Sequence, residues 1–348
     1  MLTTAVLEQI LERIPRLTVG VLGDLFLDRY LDIDAELTEP SLETGLDAYQ
    51  VVRVRSYPGA AGTVINNLAA LGVGRVIPLA VIGDDGEGYE LRQALKTLRG
   101  VEEGWVFTSP ERRTPTYTKP MLHQAGQPPR ELNRLDIKNR TPLPPQVEEW
   151  VLNSLTTIWS QIDALVVLDQ VSEAECGVVT TRVRERLAEL GATYPHKFIL
   201  ADSRERIRLF RSVSLKPNQR ECRQLLDTNR LTGGPFTVPP AARQLAERVN
   251  RPVFCTAGEK GIILAVPTPA GVQLAEVPAY PVTGPIDPVG AGDSTSAGIA
   301  CAVAAGANLE QAAAFGNLVA SITVQQIGTT GTASPEQVRQ RWREVSAS

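Results

Sequence analysis

Asp287-Pro288-Val289-Gly290-Ala291-Gly292-Asp293-Ser294 is the stretch on which the reading of this chain turns. The residues that follow, 294–304, are rich in alanine and other small side chains, which predicts a helix. Gly290, Ala291 and Gly292 then occupy its first turn, where backbone N–H groups have no partner within the helix. Those donors, added to the positive end of the helix dipole, suit an anion such as a phosphate. Asp293 beside them has two readings. As a cap it closes the helix start, with the glycines making a tight turn. As a base it takes the proton of an attacking hydroxyl, and the combination then points to phosphoryl transfer.

Upstream, short apolar runs end in turn residues and acids: 17–22 at Gly23-Asp24, 76–82 at Gly83-Asp84, 164–168 at Asp169 and 198–201 at Asp202. Continuous apolar runs of this length predict buried parallel strands. Helical patterns fall between them at 61–71, 86–98, 146–162 and 175–190, the last closed by Gly191. The alternation predicts an α/β doubly wound, mostly parallel sheet with helices on both faces and ligands at the carboxyl ends of the strands. Two stretches break it. Residues 30–57, with Val51-Val52-Arg53-Val54-Arg55, and 116–136, with Tyr117-Thr118-Lys119-Pro120-Met121-Leu122, read as exposed β-ribbons that form a small sheet over the site, a lid inserted in a single domain of residues 1–348. Residues 233–240, rich in proline and glycine, read as a surface loop.

Composition narrows the partner. The 348 residues carry a net charge of −4, and no basic cluster gives a footprint for nucleic acid, so a small molecule is expected. Residues 1–14 lack the apolar core of a signal peptide, and no run is long enough to cross a bilayer, so a cytoplasmic protein is expected. Cys176, Cys222, Cys255 and Cys301 are far apart in sequence, which fits a reducing compartment and not a thiolate metal site. With only His123 and His196, any metal is expected to be a hard cation on oxygen ligands.

Several segments, in order, resemble the ribokinase-like, or PfkB, family of carbohydrate kinases. They are Gly23-Asp24-Leu25-Phe26-Leu27-Asp28; Pro58-Gly59-Ala60-Ala61-Gly62-Thr63 leading to Asn66-Asn67; Gly83-Asp84-Asp85-Gly86; Lys216-Pro217-Asn218-Gln219-Arg220-Glu221; Thr256-Ala257-Gly258-Glu259-Lys260-Gly261; and the opening octad. The resemblance covers nearly the whole chain and implies a ribokinase-like fold that uses ATP, Mg²⁺ and, as a further expectation, K⁺. It implies Asp293 as catalytic base and Gly290, Ala291 and Gly292 as the anion hole. With the helix terminus and Mg²⁺ favouring its charged form, Asp293 is expected to be a poor base in the ground state, so that proton transfer is late.

The same resemblance assigns Asn218, Glu221, Thr256, Gly258, Lys260, Gly261 and Asn317 to the nucleotide, with Glu221 positioning Mg²⁺ through water and Asp287 near a monovalent cation. Asn218 and Glu221 also read as an ordinary capping box, and Asn317 as a packed helix residue. On the acceptor side it implies Asp24, Asp28, Gly59, Thr63, Asn67, Lys119, Arg134 and Asp136, and it implies a dimer through the lid.

Among the family's members the pattern is most similar to those that phosphorylate D-glycero-β-D-manno-heptose 7-phosphate at O1, through Asp28-Arg29-Tyr30, Thr118-Lys119, Arg134-Leu135-Asp136, Leu168-Asp169 and Gly328-Thr329-Thr330-Gly331. Lys119 and Arg134 are the cations expected at a sugar phosphate. The chain ends after one kinase-sized unit, so no nucleotidyltransferase half is expected. It departs from the pattern at Ala60, Thr63, Pro288 and Gln170, all but Pro288 on the acceptor side. Kinases of ribose, nucleosides or ketodeoxy-sugars, and a catalytically silent sugar or nucleotide sensor, are the alternatives.

Overall fold

A computed structural model describes residues 2–227, 238–328 and 330–346. Helix α1 (Thr4–Arg13) leads to strand β1 (Thr18–Gly23), then to the long strands β2 (Leu25–Pro40) and β3 (Asp47–Ala60). Helix α2 (Ala61–Ala70), β4 (Arg75–Gly83), α3 (Gly86–Lys96) and β5 (Val106–Ser109) follow, then the short strands β6 (Thr116–His123), β7 (Arg130–Glu131) and β8 (Leu135–Ile137). The second half runs α4 (Pro145–Ile158), β9 (Ala164–Asp169), α5 (Thr181–Thr193), β10 (Phe198–Ser203), β11 (Ser214–Leu215), α6 (Gln219–Asp227) and α7 (Val238–Val249). It closes with β12 (Val253–Thr256), β13 (Ile262–Thr268), β14 (Gly271–Val277), α8 (Ala291–Ala304), α9 (Leu309–Thr323) and α10 (Pro335–Ser346).

Nine strands form the main sheet in the order β14-β13-β12-β11-β10-β9-β1-β4-β5, parallel except where β13 and β14 turn back antiparallel at one edge. The chain leaves β1 toward β4 and β5, then returns to the other side of β1 through β9. Strand order therefore reverses between β1 and β9, the place where open α/β sheets leave a crevice at their carboxyl ends. The strands read as unbroken apolar runs because both faces are covered. Along β9, Val166 and Leu168 pack with Ala297 and Phe315 on one face, while Leu165 and Val167 pack with Val151 and Leu187 on the other. This is the doubly wound, mostly parallel α/β architecture expected from the sequence.

The separate small sheet, β3-β2-β6-β7 with β8 also on β6, forms where a lid was expected, and its strands extend beyond the expected ribbons to Leu25, Ala60 and Ile137. Three local expectations fail. The helix expected over 175–190 starts at Thr181: Glu175 has φ +60 and accepts from the N–H and hydroxyl of Thr181, and Thr180 caps the helix. Gly191 does not close that helix but lies inside it, where a Cβ would meet the Ser212 carbonyl oxygen at 2.1 Å. Pro239 and Pro240 begin α7 rather than a loop, in the first turn where a missing N–H costs nothing; residues 233–237 lie outside the described part. Cys222 and Cys255, distant in sequence, meet in the core with their sulfurs 2.8 Å apart.

Candidate active site

Helix α8 is capped by Gly290 at φ +80, ψ −1, a left-handed turn that suits glycine. A Cβ there would come within 2.6 Å of the Thr330 methyl and 3.5 Å of the Thr63 methyl. One of the three expected donors is spent: the Ala291 N–H closes a turn onto the Pro288 carbonyl at 3.2 Å. The N–H groups of Gly290, Gly292 and Asp293 have no protein acceptor among the described residues, so the anion site is built from these. Asp293 is the third helical residue, not the cap, and faces a cavity of about 1050 Å³.

That cavity lies over the carboxyl ends of β10 to β12. Its floor is ionic. Asp202 of β10 and Lys216, just after β11, form a buried pair with Nζ to Oδ2 of 2.8 Å. Lys216 also lies against the helix start, since a Cβ on Gly292 would be 3.4 Å from its Nζ. A positive charge therefore reinforces the free N–H groups where a phosphoryl group would develop charge. Burial alone would pull the Lys216 ammonium down, but Asp202, with Glu221 and Asp293, holds it above its ordinary value.

Burial, and after it the nearby Asp202, pushes the Asp293 carboxyl up to about 7 against the opposing pull of Lys216 and Arg204. Burial and Asp202 here outweigh the helix terminus, which was expected to favour the charged form. A carboxylate poised near neutrality is well matched to accept a hydroxyl proton. A carboxylate base works only when ionised, so with Asp293 in that role kcat/KM for the nucleotide, which reports the free enzyme, is expected to rise with pH through about 7 and then level. A flat profile across that range would contradict the assignment of Asp293.

Asn218 and Glu221 open α6 as a reciprocal capping box. The Asn218 N–H and Nδ2 donate to Glu221 at 2.8 and 2.7 Å, and the Glu221 N–H donates to Asn218 Oδ1 at 2.9 Å. Both also line the cavity, so capping and ligand binding are compatible. Burial, then Asp202, raises the Glu221 carboxyl. Thr256, Gly258 and Gly261 line the same wall and Lys260 does not. Asn317 faces the cavity while donating to the Val277 and Pro278 carbonyls, both at 3.0 Å. Tyr280, Val282, Ile286, Ala320 and Val324 give the same cavity an apolar lining, of the kind that suits a heterocyclic base. Asp287 accepts from the Val289 and Gly328 N–H groups at 3.0 and 3.2 Å.

On the acceptor side the residues separate. Asp28 of β2 is half-buried, 4.0 Å from Lys119 Nζ. A Cβ on Gly59 would overlap its carboxylate at 2.8 Å, so glycine there makes its room. Lys119 donates to the Tyr30 hydroxyl at 3.0 Å. Arg134 stacks on Tyr117 and is held by Asp136 through two bonds of 2.7 and 2.9 Å.

Asp24 is elsewhere: it is 3% exposed and accepts the N–H groups of Gln170, Val171 and Val178, a clamp for the chain after β9. Asn67 is also buried, donating to the Thr63 carbonyl at 2.9 Å with its Oδ1 unpaired, and Thr63 is 4% exposed. Ala60 adopts φ +53, ψ −116, a conformation an L-residue reaches only with strain. The sequence reading assigned no role to Lys216, Asp202 or Arg204. Lys216 precedes the Asn-x-x-Glu segment and Asp202 ends an apolar run, which were the available signals.

The chain is similar to known proteins in sequence and in fold. The profile of the pfkB family carbohydrate kinases matches residues 26–337. The bifunctional protein HldE of Pelobacter propionicus is 32% identical over 340 residues, covering 95% of this chain and 64% of that protein. HldE of Gluconacetobacter diazotrophicus is 30% identical over 324 residues, 90% of this chain and 61% of its own length. The chain thus spans less than two thirds of these relatives.

Among solved structures, the ribokinase of Thermotoga maritima superposes with a TM-score of 0.63 at 20% identity, covering 94% of this chain and 99% of that one. Arabidopsis thaliana ribokinase, complexed with ribose and ATP, gives 0.66 at 18% identity, covering 93% and 98%. Escherichia coli phosphofructokinase-2, in complex with potassium, gives 0.68 at 18%, covering 95% and 99%.

Proposed function

We propose, from the premise that this chain belongs to the pfkB family of carbohydrate kinases, that it transfers the γ-phosphoryl group of ATP to O1 of a heptose 7-phosphate. The observation that carries the chemistry is the position of Asp293, a carboxylate raised to about 7 that stands in the cavity beside free helix N–H groups backed by Lys216. The sugar hydroxyl gives its proton to Asp293 as its oxygen bonds to phosphorus. The bond from phosphorus to the β-phosphate breaks, and ADP leaves with that electron pair. The Gly290 and Gly292 N–H groups and Lys216 stabilise the charge on the transferred group. The apolar lining suits the base, and Asn218, Glu221 and Thr256 suit the phosphates.

Mg²⁺ fits this reading as a companion of the nucleotide. Among the described residues no three His, Cys, Asp or Glu side chains form a metal cage, but Mg²⁺ needs few protein ligands when it is bound to phosphates. Glu221 is the residue proposed to hold it through water, and the ion supplies charge neutralisation to the phosphate oxygens. Asp287 is proposed to lie beside a K⁺ ion, as potassium accompanies the Escherichia coli phosphofructokinase-2.

Support for the acceptor comes from the HldE relatives and from the lid cations. Lys119 lies 4.0 Å from Asp28, a cation to meet the 7-phosphate beside a carboxylate to meet the sugar. A panel of sugars and sugar phosphates, assayed with MgATP in K⁺ and in Na⁺, tests it. Heptose 7-phosphate is expected to be the preferred acceptor, and Lys119→Ala to raise its KM by about 10- to 100-fold, the value of a charged hydrogen bond. Transfer to another sugar alone would discard the heptose; tight binding without any transfer would favour a sensor.

The lid leaves Val52 and Val54 exposed on β3, which supports pairing with a second copy. A light-scattering mass of one chain on the same preparation would count against that dimer. Cytoplasmic location belongs to the same proposal, supported by four free cysteines; among the described residues, no helix is long and apolar enough to cross a membrane.

A further inference from the structure

The cations around this site are unequally committed. Lys216 is bonded to Asp202 at 2.8 Å. Arg206 holds Asp169 through Nε at 3.1 Å and Nη2 at 2.6 Å. Arg134 holds Asp136, and Lys119 holds the Tyr30 hydroxyl. Arg204 is different. It lines the cavity and is exposed to it, yet its guanidinium makes no hydrogen bond or ion pair with any described residue.

Its backbone, by contrast, is fixed. The Arg204 N–H donates to the Asp169 carbonyl at 3.2 Å, and the preceding Ser203 bonds Asp169 Oδ2 at 2.7 Å and accepts the Arg206 N–H at 2.9 Å. A free guanidinium therefore projects from a rigid strand end. Three carboxylates on different elements feel its charge: Asp28 of β2, Glu221 of α6 and Asp293 of α8. It bonds none of them. An arginine placed among acids without pairing to one is available to an anion of higher charge, and its planar fork matches phosphate oxygens.

We propose that Arg204 contacts the γ-phosphoryl group as it passes from nucleotide to sugar. The inference rests on the kinase reading. Arg204 forms and breaks no covalent bond; its charge is matched to the non-bridging oxygens while the bond to the β-phosphate opens and the bond to the sugar oxygen closes. Arg204 lines the same cavity as Gly292 and Asp293, where the transferred group would lie, and this favours that group over the α- or β-phosphate.

The test compares Arg204→Gln and Arg204→Lys with the wild-type chain. Calorimetry with Mg-ADP and with the non-hydrolysable β,γ-imido analogue of ATP separates the γ-phosphate from the rest of the nucleotide. Arg204→Gln is expected to bind ADP as wild type does, to lose at least about 10-fold in affinity for the analogue, and to lower kcat on the order of 10²- to 10³-fold. Arg204→Lys should retain part of the rate, and added guanidinium ion should restore part of it to Arg204→Ala. An unchanged melting temperature is expected, because the side chain is exposed and unpaired.

Equal weakening of ADP and analogue would overturn the proposal in favour of an inner phosphate. A raised KM for phosphorylated acceptors with kcat intact would overturn it in favour of the acceptor. Wild-type activity in all variants would overturn it outright. If the wild-type chain phosphorylates no acceptor, the kinase reading fails, and the comparison of ADP with the analogue still decides whether Arg204 meets a γ-phosphate.

Discussion

Asp293→Asn is expected to lower kcat by about 10²- to 10⁴-fold while leaving nucleotide affinity within a few-fold of wild type. The amide keeps the size of the carboxylate and leaves the free N–H groups of Gly290 and Gly292 in place, so phosphate binding should survive. What it removes is the acceptor for the hydroxyl proton. The acid limb near 7 should disappear from the residual activity, because Asp293 is the group assigned to it. Single-turnover rates with MgATP and a saturating acceptor measure the loss. A variant that turns over at the wild-type rate would mean that water or another carboxylate takes the proton.

Removing Lys216 should cost both stability and rate. It is 3% exposed and paired with Asp202 at 2.8 Å, so Lys216→Met leaves a buried carboxylate without its counter-charge. Breaking such a pair from one side typically destabilises by about 3 to 5 kcal/mol, whereas replacing both partners by neutral groups of similar size is often tolerated. The double variant Lys216→Met with Asp202→Asn is therefore expected to regain most of the stability measured by urea unfolding. It should not regain activity, since no positive charge then lies under Gly292, and kcat should stay about 10²-fold down or lower. A double variant as active as wild type would confine Lys216 to a structural role.

The parallel core was legible because strands buried on both faces need uninterrupted apolar runs, and each run announces itself locally. The glycine-rich start of α8 was legible for the same reason, since a glycine pair ahead of an alanine-rich helix has local geometry. What was not legible depends on contacts between distant segments. Asp24 and Asp28 look alike in sequence, yet the first is consumed by three N–H groups from the chain after β9 and only the second lies beside Lys119 of the small sheet. Gly191 looked like a helix end and is a packing notch for the Ser212 carbonyl. Lys216 has no pattern of its own; its meaning comes from Asp202 on one neighbouring strand and Gly292 on a helix that arrives some seventy residues later. The raised Asp293 carboxyl has the same origin, in burial and then in Asp202, which meet it only in the folded chain.

Arg29 of β2 bonds Glu90 of α3 at 2.6 and 3.1 Å, and the Ser56 hydroxyl of β3 bonds the same carboxylate at 2.8 Å. Arg29 and Ser56 face each other across the ladder, so both lid strands are pinned to the body at one level. The lid is in mechanical terms a cantilever with its fulcrum at Glu90. The segment carrying Asp28 and Gly59 lies on the clamped side, and the free arm begins beyond Tyr30 and Arg55. Bending of this small sheet would fall on the outer strands and leave Asp28 in place, so that motion at the sheet's tip would be separated from the position of that carboxylate.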